Sequence, residues 1–411
     1  MADKCDCQGC DVLYPWITVG AVVIIYTLAL IFFYKNGKTC GAPPPELLLA
    51  VAQEMKRLKN DLKEVTIDEE GIEATDEKIG SGAFGDVYKA RFALPTARKL
   101  FVMPRNGALK VCRPQPSEAV RMLEEAKKML ELDGHANLVR LIGVTITGVR
   151  PMIAMEYLGG GSLEGIFHKY RSEMQFKRKV VRTSDVVRVL TQIAEGLRYM
   201  HEKNYEHRDV AARNVLADHD DLTSHKLVVK LGDFGLTTQH TAGLYAKPKR
   251  FARHWAPPEF FNGGQMTADA DIWCFGILCW ECVTMGAWPH CNKSKTQQRQ
   301  DISFKTDIGL EMPNQINRQF LQLMRSCWVV SPPQRAKFVN RPMDEEEGGG
   351  RPVSQATQTI PEMLSALVEH LQADQMDDLT LSPLPCPCPS CAVAEDKRRH
   401  KEETMIDGPN D

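Results

Sequence analysis

His207-Arg208-Asp209-Val210-Ala211-Ala212-Arg213-Asn214, followed 19 residues on by Asp233-Phe234-Gly235, is the stretch on which the reading of this chain turns. Phosphoryl transfer to a hydroxyl needs a carboxylate that orients the hydroxyl and accepts its proton, and Asp209 supplies one. It also needs ligands for the cation on the nucleotide phosphates. Asn214 and Asp233 offer an amide oxygen and a carboxylate, hard donors that suit Mg²⁺, which keeps waters and phosphate oxygens as its other ligands.

Upstream, Gly80-Ser-Gly-Ala-Phe-Gly-Asp-Val87 spaces three glycines, Gly80, Gly82 and Gly85, so that backbone amides can approach phosphate oxygens. A dinucleotide-binding turn uses similar spacing, but there the third glycine opens a helix. Here it leads into Val87-Tyr88-Lys89-Ala90-Arg91, a strand-like run, which favours a glycine-rich hairpin over a nucleotide. Two lysines compete as the cation for the phosphates, Lys99 and Lys110. Asn106-Gly107 is a hairpin turn signal, so Ala108 to Val111 is expected to open a returning strand carrying Lys110. Lys110 also stands 15 residues before Glu125, at the centre of a helical stretch from Glu118 to Leu132, and is preferred.

The bulk numbers bound the answer without deciding it. The 411 residues are 43% hydrophobic and 25% charged, ordinary for a globular chain. A net charge of −2 argues against a nucleic-acid partner, which usually leaves a basic imbalance. Of the thirteen cysteines, Cys112, Cys274, Cys279, Cys282, Cys291 and Cys327 are scattered through apolar or mixed segments, as reduced thiols of a cytosolic domain would be.

Trp16 to Tyr34 contains 19 residues and no charge. A helix over that run reaches about 28 Å, close to the hydrocarbon thickness of a bilayer. Trp16 and Tyr34 bracket it, and Lys35 and Lys38 follow at once, whereas only Lys4 precedes it among Asp3, Asp6 and Asp11. The positive-inside rule then predicts a single-pass membrane protein with its N-terminus outside and the bulk of the chain cytoplasmic. A cleaved signal peptide would have a shorter apolar core behind a basic stretch.

The expected organisation is a short extracellular segment (1–15), a transmembrane helix (16–34), a juxtamembrane segment (35–70), a catalytic domain (71–373) and a disordered tail (374–411). Within the juxtamembrane segment Leu48, Val51, Met55, Leu58, Leu62 and Val65 recur at steps of three and four. That spacing fits a short coiled-coil seam or equally a helix packed on its own catalytic domain. Past Gly71 strand-like runs give way, beyond Thr183, to helical periods. A last amphipathic helix carries Ile360, Met363, Leu364, Leu367, Val368 and Leu371.

With these residues in view, Glu77 to Phe338 together with the closing helix resembles the protein kinase superfamily and, within it, the tyrosine kinases. Ala211-Ala212-Arg213 is the form common in receptor-type tyrosine kinases, where serine/threonine kinases usually carry a lysine at the position of Ala211. Cys327-Trp-x-x-x-Pro332-x-x-Arg335-x-x-Phe338 is a further match. The resemblance implies an α+β, bilobal kinase fold, β-rich then helical, with ATP and Mg²⁺ bound between the lobes and protein tyrosines as substrates. It implies that Lys110 pairs with Glu125, and that Ile79, Val87, Ala108 and Leu216 enclose the adenine. Met155 would be the gatekeeper, with Glu156, Tyr157 and Leu158 as the hinge. Asp209 would be the base, assisted by Arg213, and Asp271 the anchor of a spine through Met129, Leu141, His207 and Phe234. Tyr245 sits at a usual autophosphorylation position, where a phosphate could pair with Arg208.

Several residues depart from the family pattern. Pro257 replaces the alanine usual before Pro258-Glu259, Ala252 stands at a customary proline, and Glu206 stands at a customary buried apolar residue. The connection from Phe92 to Arg105 is long. A catalytically weak pseudokinase scaffold is the alternative reading, and intact Lys110, Asp209, Asn214 and Asp233 count against it. The cysteine groups (Cys5, Cys7, Cys10 and Cys386, Cys388, Cys391) leave more than one reading open. The first group could bridge two chains into a homodimer, or stay unpaired or lipidated; the second could be metal ligands or free tail thiols.

Overall fold

The structure, a computed structural model, describes residues 45–82, 85–95, 102–113, 116–146, 150–175, 180–239, 250–264, 266–291, 293–305, 307–339, 358–373, 378–381 and 405–407. The apolar run 16–34, Lys99 and Tyr245 lie outside these residues. Among the described residues no helix is long and apolar enough to cross a membrane. The chain divides into two compact units, Met1–Lys127 with Leu141–Met155, and Lys128–Arg140 with Glu156–Asp411.

The first unit is built on a five-stranded sheet of β1 (Ile72–Gly82), β2 (Gly85–Pro95), β3 (Val102–Cys112), β4 (Leu141–Thr145) and β5 (Met152–Glu156), ordered β1-β2-β3-β5-β4. Its core gathers Ala90, Phe92, Leu109 and Ala154, with Ile72, Val111 and Met152 packed against them. Helix α1 (Pro45–Asp61) precedes the sheet, and helix α2 (Pro116–Glu131) follows β3.

Two sequence expectations change here. Asn106-Gly107 is not a turn: β2 and β3 pair without interruption from Gly85↔Cys112 to Pro95↔Val102, with Asn106 opposite Arg91 and Gly107 opposite Ala90. Gly107 answers to crowding, since a Cβ there would lie 2.2 Å from the Phe92 ring and 2.8 Å from the Met155 carbonyl oxygen. The long connection is thus largely an extended hairpin. Nor does ordered packing begin at 71. Leu58 and Leu62 of the three-and-four pattern are fully buried, and Lys127 on α2 binds Asp61 at 2.6 Å. The end of the seam packs on its own domain, where Leu58 and Leu62 are already covered.

The second unit is helical. α3 spans Leu163–Gln175, α4 Thr183–Glu202, α5 Pro258–Phe261, α6 Asp269–Val283, α7 Lys295–Phe304, α8 Arg318–Cys327 and α9 Ile360–Ala373. α6 is apolar on all faces and buried along nearly its whole length, which makes it the central helix. α4 buries Val186, Val187, Leu190, Ile193, Leu197 and Met200 at helical spacing. Short strands β6 (Gly161–Ser162), β8 (Val215–Ala217) and β9 (Val229–Leu231) form one small sheet, and β7 (Tyr205–Glu206) pairs with β10 (Thr238–Gln239). β11 (Arg250–Ala252) pairs antiparallel with β12 (Met405–Asp407) from near the C-terminus.

Ordered contacts run past Ala373, where the sequence reading expects a disordered tail. The Thr183 and Leu381 amides donate to the Leu379 and Val181 carbonyls, and Asp378 accepts from the Ser184 amide and hydroxyl at 2.9 and 2.8 Å. The first turn of a helix leaves amides without intrahelical partners, and this segment supplies them for α4. Cys112, Cys274, Cys279, Cys282 and Cys327 are buried free thiols. Burial pushes Cys112 up to about 11 and Cys327 to about 12, so both stay protonated.

Candidate active site

In the first unit β3 carries Lys110 and α2 carries Glu125. The Lys110 ammonium is 2.7 Å from both Glu125 carboxylate oxygens, and both residues are almost wholly buried. The glycine-rich segment is a hairpin as expected, with Gly80 opposite Val87 and Gly82 opposite Gly85. Gly85 has a second reason to be glycine, because a Cβ would meet the Val111 carbonyl oxygen at 2.2 Å. Asp86 accepts from the Ser81 hydroxyl at 2.6 Å and binds Lys78 at the same distance, which holds its carboxyl below the usual range. Ala108 is buried, Ile79 is exposed beside an irregularity in β1, and Met155, next to last in β5, stands opposite Leu141.

The second unit holds the rest of the chemistry. Asp209 is buried, its carboxylate paired with the Arg213 guanidinium and accepting at 2.7 Å from the Asn214 amide. The Asn214 Nδ2 also donates to the Asp209 carbonyl at 2.7 Å. With its nitrogen committed on one side, the Asn214 side-chain oxygen is turned away from Asp209, as a metal ligand requires. Gly232, next to Asp233, donates its amide to the Asn214 carbonyl at 2.9 Å, which ties the two proposed ligands together through the backbone. An amide oxygen and a carboxylate fit Mg²⁺ and poorly fit softer ions.

Asp233 has φ 62°, left-handed and uncommon for a residue other than glycine. Phe234, buried beside it, meets His207 edge-on at 5.7 Å, and the His207 Nε2 lies 3.1 Å from the Gly232 carbonyl oxygen. Asp271 on α6 anchors the loop from below. It accepts the His207 and Arg208 amides at 2.7 Å each and pairs with the His201 Nε2 at 2.9 Å. Burial works to raise the Asp271 carboxyl, but His201, His207 and the Arg208 amide outweigh it and hold it ionised.

The expected hinge residues are placed by the same unit. The Glu156 carboxylate is committed, to the Arg140 amide at 2.7 Å and to Lys230 at 2.7 Å. Leu158 is buried and Leu216 partly so. Pro257 does not disturb the following glutamate, since Glu259 makes a bidentate pair with the buried Arg335 at 2.7 Å on both arms. Arg208 is engaged with Glu206 at 2.8 Å.

Two supports had no signal in the sequence. Trp255 lies under the Arg213 guanidinium, 4.1 Å from the ring centre. Glu281 on α6 accepts from the Trp255 indole at 3.0 Å and the Ala212 amide at 3.1 Å. Burial pushes its carboxyl up to about 8. Both residues lie more than 40 positions from Arg213 in sequence and come beside it only through the fold.

Residues 74–341 match the family model described as protein tyrosine and serine/threonine kinase. The chain is 32% identical to Protein nipi-4 of Caenorhabditis elegans over 81% of its own length and 85% of that protein's. It is 32% identical to the tyrosine-protein kinase transforming protein Fps of the PRCII strain of avian sarcoma virus and 31% identical to tyrosine-protein kinase Fer of Homo sapiens. Those two matches cover 64% of this chain, but only 46% and 29% of the relatives. Kinases of this family use ATP and Mg²⁺, and Fps and Fer carry the name of tyrosine-protein kinases. The chain belongs to the protein tyrosine and serine/threonine kinase family, on its tyrosine kinase side.

Proposed function

We propose that this chain transfers the γ-phosphoryl group of ATP to tyrosine hydroxyls of protein substrates, from a cytoplasmic kinase domain tethered to a membrane. The observation that carries the catalytic part is Asp209, buried and held in place by Arg213 and Asn214. Asp209 would orient the substrate hydroxyl and take its proton as the bond to phosphorus forms. Lys110, fixed by Glu125, would bind phosphate oxygens, and Asn214 and Asp233 would hold Mg²⁺. The cation, when bound, neutralises phosphate charge that develops on the leaving oxygens. Ala211 leaves the path beside Asp209 free of a lysine, which suits the longer reach of a tyrosine.

Purified protein incubated with ATP, Mg²⁺ and a tyrosine-containing polypeptide tests this by phosphoamino-acid analysis. Phosphotyrosine is the expected product, with Tyr245 among the autophosphorylated positions. Phosphoserine and phosphothreonine alone would overturn the tyrosine assignment, and no transfer at all would leave the pseudokinase scaffold. The tether rests on the uncharged Trp16–Tyr34 run and the lysines after it. Alkaline-wash fractionation should leave the chain in the membrane pellet. Pairing of two chains through Cys5, Cys7 or Cys10 belongs to the same reading, and non-reducing electrophoresis of wild type against a triple serine variant tests it.

A further inference from the structure

We infer that Glu206 is a positioning residue for the catalytic aspartate, holding the His207–Asp209 turn through Arg208, so that turnover needs no added phosphate to neutralise that arginine. Glu206 is 2% exposed and Arg208 8%. The Glu206 Oε2 accepts from the Arg208 Nε at 2.9 Å and lies 2.8 Å from its terminal nitrogen. A guanidinium this far from water requires a fixed anion, and a neighbour two residues away supplies it without any modification.

Arg208 also has φ 65°, a left-handed conformation that a long side chain adopts only when its surroundings over-determine it. Asp271 fixes the backbone from below by accepting the Arg208 amide, and Glu206 fixes the side chain. The next residue is Asp209, whose amide donates to the His207 Nδ1 at 3.2 Å, so a shift of the turn shifts the base. Glu206 reaches one element further: in the β7–β10 pairing it stands opposite Thr238, four residues past Phe234. One residue therefore joins the turn that carries the base to the strand that leaves the Asp233-Phe234-Gly235 triplet.

This rests on the kinase reading, and the test separates the two. Phosphatase-treated wild type should keep its kcat within about two-fold. Glu206→Gln, which keeps the shape and drops the charge, should lose at least ten-fold in kcat after phosphatase treatment, with the KM for ATP little changed, and recover part of it on autophosphorylation. Glu206→Asp, which keeps the charge on a shorter arm, should fall between the two. A merely structural glutamate would lower the folded fraction without making kcat depend on phosphate. Loss of wild-type activity on phosphatase treatment, or a Glu206→Gln variant as active and as insensitive as wild type, overturns the inference. Amide exchange across 205–210 and 237–239 gives a readout free of turnover, and it should quicken in Glu206→Gln. Should wild type transfer no phosphate, the kinase reading fails; unchanged exchange would then overturn the positioning role as well, and faster exchange would uphold it.

Discussion

The Lys110 ammonium lies 2.7 Å from each carboxylate oxygen of Glu125, and the two side chains are 7% and 3% exposed. A pair this dry is stable only as a pair. Removing one partner leaves a buried charge uncompensated, at a cost of about 3–5 kcal/mol. Lys110→Met should therefore both abolish most turnover and lower the denaturation midpoint, whereas Lys99→Met should leave turnover largely intact. The reverse pattern would reassign the phosphate-binding lysine.

Asp209→Asn is nearly isosteric, so the fold and ATP binding should survive while phosphotransfer falls by two to four orders of magnitude. Binding of a fluorescent nucleotide measured beside the rate of phosphate transfer separates the two effects. A near wild-type rate would remove Asp209 from its role as base.

Gly107→Ala asks for a Cβ where the Phe92 ring and the Met155 carbonyl already stand, 2.2 and 2.8 Å away. Overpacking of this kind costs about 1–3 kcal/mol. Urea denaturation should show the loss, and an unchanged midpoint would mean that β2 and β3 do not pair in this register.

Leu58→Ala or Leu62→Ala removes a fully buried side chain and should lower stability by about 2–5 kcal/mol. The same variants should leave the sedimentation behaviour of the chain unchanged. A change in association with no change in stability would return the α1 pattern to a coiled-coil role.

Glu281 provides a pH signature. Burial raises its carboxyl from an ordinary 4.5 to about 8, so in that window the folded chain holds a proton that the unfolded chain releases. Folded protein binding more protons than unfolded means stability falls as pH rises from 4.5 toward 8. Glu281→Gln, which keeps an acceptor for the Trp255 indole, should flatten that part of the profile. Thermal melting at intervals from pH 5 to 9 would show it, and equal slopes for both proteins would place the Glu281 titration elsewhere.

The sequence by itself determined the family and the class of fold. Asp209, Asn214, Asp233, Lys110 and the three glycines stand out because each lies in a short local motif, in the chain order that this kinase family shares. The structure then brings Lys110 to Glu125 and Asp209 to Asn214, as that order requires. Tertiary structure alone decided what supports them. Asn106-Gly107 has the composition of a turn, yet a glycine needed for close approach and one needed for a turn look alike in a string of letters. The three-and-four pattern of α1 records which residues are apolar, but not whether their own domain or a second chain covers them. Glu281 under Ala212, Trp255 under Arg213 and Asp378 at the first turn of α4 are partners across long stretches of chain. Burial chose those partners, because a polar group taken from water must find whichever complementary group folding brings beside it, and local spacing carries no record of that choice.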